Sequence, residues 1–365
     1  MLAKRAEKLD ASGIRKVFDL AAKLTDPINL SIGQPHFAIP QAIQDRAVQA
    51  IQEGANRYTV TQGIAELRQA IGAKLDEEFG AAERRILITS GVSGGLALAL
   101  LCLLDPGDEI IIPDPYFVAY KSLVEIIGAS PVLVDTYPSF SLSAEEVGKA
   151  ITSRTRAILL NSPCNPTGAV YSEQELKAVV ELARQHGLML ISDEIYNEFC
   201  YDEPFVSPVP LYDKTLLLRG FSKSYGMTGW RLGYAAGPGP LIEKMAMLQQ
   251  YTYVCAPAMV QWAGVVALDT DMSEYVADYR KKRDFVYERL SEVFEVQKPG
   301  GAFYIFPKAP GGDADEFVRK AIENKVLVIP GGVFSQRSSH FRISYAADDE
   351  VLARGVEVLC KLGGQ

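Results

Sequence analysis

Between about residue 80 and residue 238 the sequence alternates short apolar, β-branched runs with longer stretches of helical periodicity. Few architectures accept such a chain. The runs are RILITS, DEIIIP, PVLVD, RAILLN, LMLISD, KTLLLRG and RLGYAA. Their apolar cores are near-continuous rather than alternating with polar residues, so they suit strands of a mostly parallel sheet buried on both faces. The spacing predicts helices near 93–104, 116–127, 143–150 and 172–186, joined by short connections rich in Gly, Pro, Asn and Asp. The pattern describes a doubly wound α/β domain, a large sheet flanked by helices.

At 365 residues the chain exceeds the size at which a single core usually keeps growing, and its pattern changes after about residue 238. Long helices follow, including a highly charged one near 271–291, then GAFYIFP, VLVIPG and HFRISYA with helices near 313–323 and 348–362. This predicts a smaller α+β unit. The first residues carry a helical pattern, IRKVFDLAAKL, then INLSIGQPHFAIP, and have no strand partner nearby in sequence; they are expected to cross over and complete the small unit. The expected division is an N-terminal arm with part of the small domain at 1–38, a large domain at 39–265 and a small C-terminal domain at 266–365.

Charge narrows the partners. A formal net charge of -8, with Lys281, Lys282 and Arg283 as the longest basic run, argues against an electrostatic grip on nucleic acid or an anionic membrane and favours small-molecule substrates. The five cysteines show no metal-binding spacing, and an odd number cannot pair completely within one chain, so a reducing cytoplasm is expected. Neither an export signal nor an apolar span is visible.

In open α/β sheets ligands bind beyond the carboxyl ends of the strands. RILITS runs into SGVSGGLALALL, where Ser93 and Gly94 open a helix whose free N–H groups suit an anion. DEIIIP is followed by Phe117 and Tyr120, either of which could lie on a planar ring or belong to the core. RAILLN ends near Asn165 in NPTG, a residue that the turn alone does not explain. LMLISD delivers a carboxylate, Asp193, with Tyr196 three positions on, from a run too apolar to tolerate an acid without a cationic partner or a proton. KTLLLRG then delivers GFSKSYGMTGWRLGY, which brings Lys223 and Arg231 to the same rim.

A planar cofactor with a phosphate, a protonatable ring nitrogen and an aldehyde would use all of these groups, and pyridoxal 5'-phosphate is such a molecule. Lys223 would bond the aldehyde. Arg231, Ser93 and the backbone around Val92 and Gly94 would hold the phosphate. Asp193 would pair with the ring nitrogen, and Asn165 and Tyr196 would contact the ring oxygen.

The ordered set NPTG, DEIY, SKSYGMTGWRLGY and FRISYA resembles the class I/II aminotransferases of fold type I, the aspartate aminotransferase superfamily, from INLSIGQP to the end of the chain. The resemblance implies a homodimer with shared active sites, a mobile small domain, and amino acid and 2-oxo acid substrates. It implies a phosphate contact from Tyr58 to the neighbouring subunit, an aromatic stack from Phe117, and an α-carboxylate site from Arg342 with the backbone of Gly33. Two positions depart from the pattern. Gly220 replaces a serine common three residues before the lysine, with Ser222 as the candidate substitute, and His36 stands where an acid is usual. His36, His186 and His340 are assigned no catalytic role.

The same residues would serve a carbon–sulfur β-lyase of the same fold, and a catalytically silent cofactor-binding module is the reading from another class. The absence of a basic DNA-binding extension argues against the latter. An aspartate or aromatic substrate range is expected. Arg15, Phe18 and the run QYTYVCAPAM (250–259) are candidates for contacts to the substrate side chain.

Overall fold

A computed structural model describes residues 25–364 together with Ala3, Glu7 and Gly13. The strands are β1 (Ile28–Asn29), β2 (Arg85–Ser90), β3 (Glu109–Asp114), β4 (Ser130–Asp135), β5 (Thr155–Asn161), β6 (Met189–Asp193), β7 (Thr215–Gly220), β8 (Leu232–Gly237), β9 (Tyr304–Ile305), β10 (Val326–Leu327), β11 (Ile329–Pro330) and β12 (Phe341–Ser344). Seven of them, in the order β2-β8-β7-β6-β5-β3-β4, form one mostly parallel sheet flanked by helices.

Burial follows the two-residue period of a strand. Leu216, Leu217 and Leu218 are all 0% exposed. Leu216 and Leu218 join the cluster around Leu96, Tyr120 and Met245, whereas Leu217 joins the opposite cluster around Ile43, Leu67 and Ala263. Both faces are therefore covered, and the continuous apolar runs are what such a position requires.

The run RLGYAA departs from the parallel direction. β8 pairs antiparallel with both β2 and β7. Only residues 221–231 separate β7 from β8, and they hold one short helix, Phe221–Ser224, and a single helical turn at Thr228–Trp230. A parallel return needs a crossover of a dozen residues or more, usually a full helix, so the chain turns back instead. The helix after β2 also begins earlier than the spacing predicts, at Gly91 rather than Ser93.

The C-terminal segment builds a second core, centred on Tyr279, Phe303, Phe317 and Phe341, around the antiparallel order β11-β12-β9. β1 lies parallel to β10, with Ile28 opposite Val326. All five cysteines are unpaired, and no helix among the described residues is long and apolar enough to cross a membrane.

Behind the ends of β6 and β7 lies a buried ionic network. Arg219 donates to Glu194 Oε2 at 2.9 Å and to both carboxylate oxygens of Glu78 at 2.6 and 2.7 Å. Glu194 is wholly buried and also accepts from the hydroxyls of Ser192 and Ser207. Removing one partner of a buried pair strands the other charge, at a cost of about 3–5 kcal/mol. Arg219→Met should therefore lower the unfolding free energy by about that amount, read as a lower urea midpoint with the m-value unchanged, and Glu194→Gln added to it should recover part of the loss.

Candidate active site

The carboxyl ends of β2, β5, β6 and β7 open onto a cavity of ≈ 310 Å³ whose far wall comes from residues 32–34, Tyr304 and Arg342. Its volume lies at the lower end of the range for small-molecule and cofactor sites. Gly33, Val92, Ser93, Phe117, Asn165, Asp193, Tyr196, Lys223, Arg231 and Arg342 all line it, as does Ser222. The sequence therefore nominated residues that lie far apart along the chain and meet around one space.

Lys223 sits on the short helix Phe221–Ser224 directly after β7, and its Nζ donates to Gly33 O at 2.6 Å. Burial, then the positive charges of Arg342 and Arg231, lower its pKa to about 8, with Asp193 pulling the other way. Asp193, only 4% exposed, accepts from Tyr120 Oη at 2.6 Å and from Ile195 N at 3.2 Å. Burial nevertheless pushes its carboxyl up to about 6. Among the described residues it has no ion-pair partner within 4.0 Å.

Arg342 is buried, donating to Asn165 Oδ1 at 2.9 Å and Ser31 O at 2.6 Å, while its Nε has no partner. The guanidinium lies 4.6 Å from the ring centroids of both Tyr304 and Phe334. Desolvation lowers its pKa from the ordinary arginine value.

Arg231 precedes β8 with a left-handed backbone, φ 56°. Its guanidinium lies against the first turn of the helix Gly91–Leu103, where a Cβ at Gly91 would come within 2.6 Å of Nη2. Gly233 is equally constrained, since a Cβ there would lie 2.7 Å from the backbone of Gly91. The two glycines let an arginine and a helix N-terminus face the same point, a favourable setting for a dianion.

Several sequence candidates lie elsewhere. Gly94 does not line the cavity; a Cβ on it would meet Tyr253 Oη at 3.0 Å. Tyr58 is 83% exposed and does not line the cavity. No residue of 250–259 lines the cavity, and Tyr253 Oη instead accepts from Ser90 N at 3.4 Å. Arg15 and Phe18 fall outside the described residues. Gly220 also lies off the cavity, packed so closely that a Cβ would meet Val92 and Ile195 at 3.1 Å. His36 bonds Tyr279 Oη through Nδ1 at 2.9 Å, and His340 stacks on Phe306. Neither lines the cavity, and neither does His186.

Sequence reasoning missed Asn161, Tyr304 and the hydroxyl role of Tyr120. Tyr120 contributes a hydroxyl to Asp193 rather than a face to a ring. Asn161 lines the cavity, donating to Asp193 O at 3.0 Å and accepting from Asn165 N at 3.0 Å, so it ties β5, β6 and the NPTG turn together. Tyr304 reaches Tyr196 Oη at 2.8 Å. Its only sequence signal was a tyrosine in a strand pattern.

Residues 25–359 match the aminotransferase class I and II family. The chain belongs to that family. It is 37% identical to a probable aspartate aminotransferase of Methanocaldococcus jannaschii, over 98% of this chain and 99% of the relative. It is 38% identical to aromatic-amino-acid aminotransferase 2 of Thermococcus litoralis, over 99% and 98% of the two chains. A solved structure of the aspartate aminotransferase of Thermus thermophilus with maleate superposes with a TM-score of 0.95 at 33% identity, covering 99% of each chain. The architecture of this aminotransferase is thus the α/β fold type I.

The low basicity of Lys223 gives a direct test. In cofactor-free protein, an amine-acylating reagent should modify Lys223 with a half-maximal rate near pH 8, against about 10.4 for an ordinary lysine. Peptide mapping across a pH series reads the two classes separately.

Proposed function

We propose that this aminotransferase uses pyridoxal 5'-phosphate to move an amino group between an aspartate or aromatic L-amino acid and a 2-oxo acid. The observation that carries the reading is the meeting of Lys223, a weakened base, with the isolated carboxylate of Asp193 and two separate cations around one cavity. The substrate range rests on the names of the relatives.

The residues fit this cofactor on three counts. Asp193 lacks a cationic partner among the described residues, which a protonated ring nitrogen would supply. The glycine at 91 lets the Arg231 guanidinium pack against a helix N-terminus, so a cation and free N–H groups stand together as a phosphate would need. Arg342 keeps a buried N–H unanswered, as a site for an incoming carboxylate would. Asn165 and Tyr196 are assigned to the ring oxygen, Phe117 to the ring face, and Val92 and Ser93 with Arg231 to the phosphate. When bound, pyridoxal phosphate supplies an aldehyde that captures amines and a ring that accepts electrons from the substrate α-carbon.

The chain's own groups do the rest. Arg342 takes the substrate α-carboxylate, helped by the backbone at Gly33, and fixes which α-bond faces Lys223. Lys223 Nζ, neutral above about pH 8, accepts the α-proton and delivers it again. Asp193 stays ionised beside a cation and so holds the proton on the ring nitrogen.

We assign 39–265 to the large cofactor-binding domain, 266–365 to the small domain, and 1–38 to an N-terminal arm and part of the small domain. We further propose a cytoplasmic homodimer in which Tyr58 reaches the partner's phosphate. Its support is the exposed apolar surface of Tyr58, Val60, Met247 and Tyr251.

Borohydride reduction of the loaded protein should attach the cofactor at Lys223, and Lys223→Ala should abolish transamination of aspartate and aromatic amino acids with 2-oxoglutarate. Label on another lysine overturns the assignment. For the shared site, Tyr58→Phe should weaken cofactor affinity by about 10- to 100-fold. A mixed dimer of Tyr58→Ala and Lys223→Ala subunits should recover up to half of wild-type activity, because one site then carries both lesions and the other none. No recovery would mean that Tyr58 serves its own subunit.

A further inference from the structure

Tyr304 ends up against three parts of the site at once. It lies on β9, paired through Ser344 with β12, the strand that carries Arg342. Its ring lies 4.6 Å from the Arg342 guanidinium, and its hydroxyl crowds Gly33 so closely that a Cβ there would collide with it. The same hydroxyl meets Tyr196 Oη at 2.8 Å, and both phenols are buried.

Only one of two hydroxyls can donate across a single contact. If Tyr196 donates to Tyr304, its own oxygen can only accept from whatever occupies the cavity. If Tyr304 donates to Tyr196, the proton of Tyr196 is left for an acceptor in the cavity. A ring oxygen bearing negative charge needs the second arrangement. Among the described residues the hydroxyl of Tyr304 bonds only to Tyr196, so its proton has no competing protein acceptor. We propose that Tyr304 is a positioning residue that donates to Tyr196 and thereby commits the Tyr196 proton to the ring oxygen of the cofactor. The proposal rests on the assignment of Tyr196 to that oxygen.

The charged and titratable groups facing this pair are Arg342 from β12, Asp193 from β6 and Lys223, whose Nζ lies 6.0 Å from the Tyr196 ring centroid. The phenols of Tyr279 and Tyr345 are the other titratable groups close enough to feel Tyr304. None of these is altered when the hydroxyl alone is removed, and Phe at 304 keeps a ring against Arg342.

The experiment follows the visible absorption band of the loaded enzyme against pH in wild type, Tyr304→Phe, Tyr196→Phe and the double variant. Losing a donor relay that favours the anionic ring oxygen should raise the pH of the spectral transition in Tyr304→Phe by about 0.5–1 unit. The amino-acid KM should stay within about twofold, since the aromatic face remains. The double variant should titrate like Tyr196→Phe alone, because the relay has one output. A shift in Tyr196→Phe without one in Tyr304→Phe, or a Tyr304→Phe shift that persists in full on the Tyr196→Phe background, overturns the proposal alone. No shift in Tyr196→Phe overturns both the proposal and the assignment of Tyr196.

Discussion

A carboxylate at the end of a strand buried on both faces is the constraint around which this molecule is arranged. Leu190 and Ile191 leave no water beside β6, yet the strand ends in Asp193 and the chain continues with a second, fully buried acid, Glu194. The two adjacent acids meet different neighbours, Asp193 the cavity and Glu194 the Arg219 guanidinium, so each needs its own answer. Glu194 finds it within the chain, in Arg219 and two hydroxyls. Asp193 finds only neutral donors, Tyr120 Oη and Ile195 N, and its pKa stays raised. Glu194 is thus paired directly with an arginine, whereas Asp193 faces the cavity with no cation in ion-pair contact among the described residues. That asymmetry separates the acid that is tied into the architecture from the one that faces open space.

Much of this was legible because the chemistry sits where apolar runs stop. Asp193, Asn165 and Lys223 follow strands whose burial can be read from composition, so their place at one rim followed from strand order alone. Arg342 was different: it came from the resemblance, and the cation–aromatic packing around it depends on Phe334 and Tyr304, which no local pattern pairs with it. The hydroxyls of Tyr120 and Tyr304 were unreadable for a related reason. Each looks like a core aromatic, and what distinguishes it is a hydrogen bond to a residue 73 or 108 positions away. The direction of β8 was missed because periodicity reports burial and says nothing of which way a strand runs. The length of the connection before it carried that information.

The site also draws its two halves from differently built sources. Asn161, Asn165 and Asp193 are linked to one another through main-chain and amide hydrogen bonds across β5 and β6. Arg342 and Tyr304 belong to a three-stranded sheet with its own aromatic core and touch the large sheet through Asn165 and Tyr196. These two side-chain contacts are where a displacement of the smaller core would first be felt by the floor of the cavity.

The reversal of β8 has a mechanical corollary. Because that strand runs against its neighbours, its beginning, and not its end, comes to the rim, and Arg231 stands there with its guanidinium against the turn that opens at Gly91. Lys223 and Arg231 thus belong to one tight antiparallel return, fastened on both sides by sheet hydrogen bonds. They form a single stiff bracket. A displacement of the C-terminal core would change the distance from Arg342 to this bracket while leaving the spacing within it untouched, so the cavity has one wall free to be re-spaced and one that is fixed.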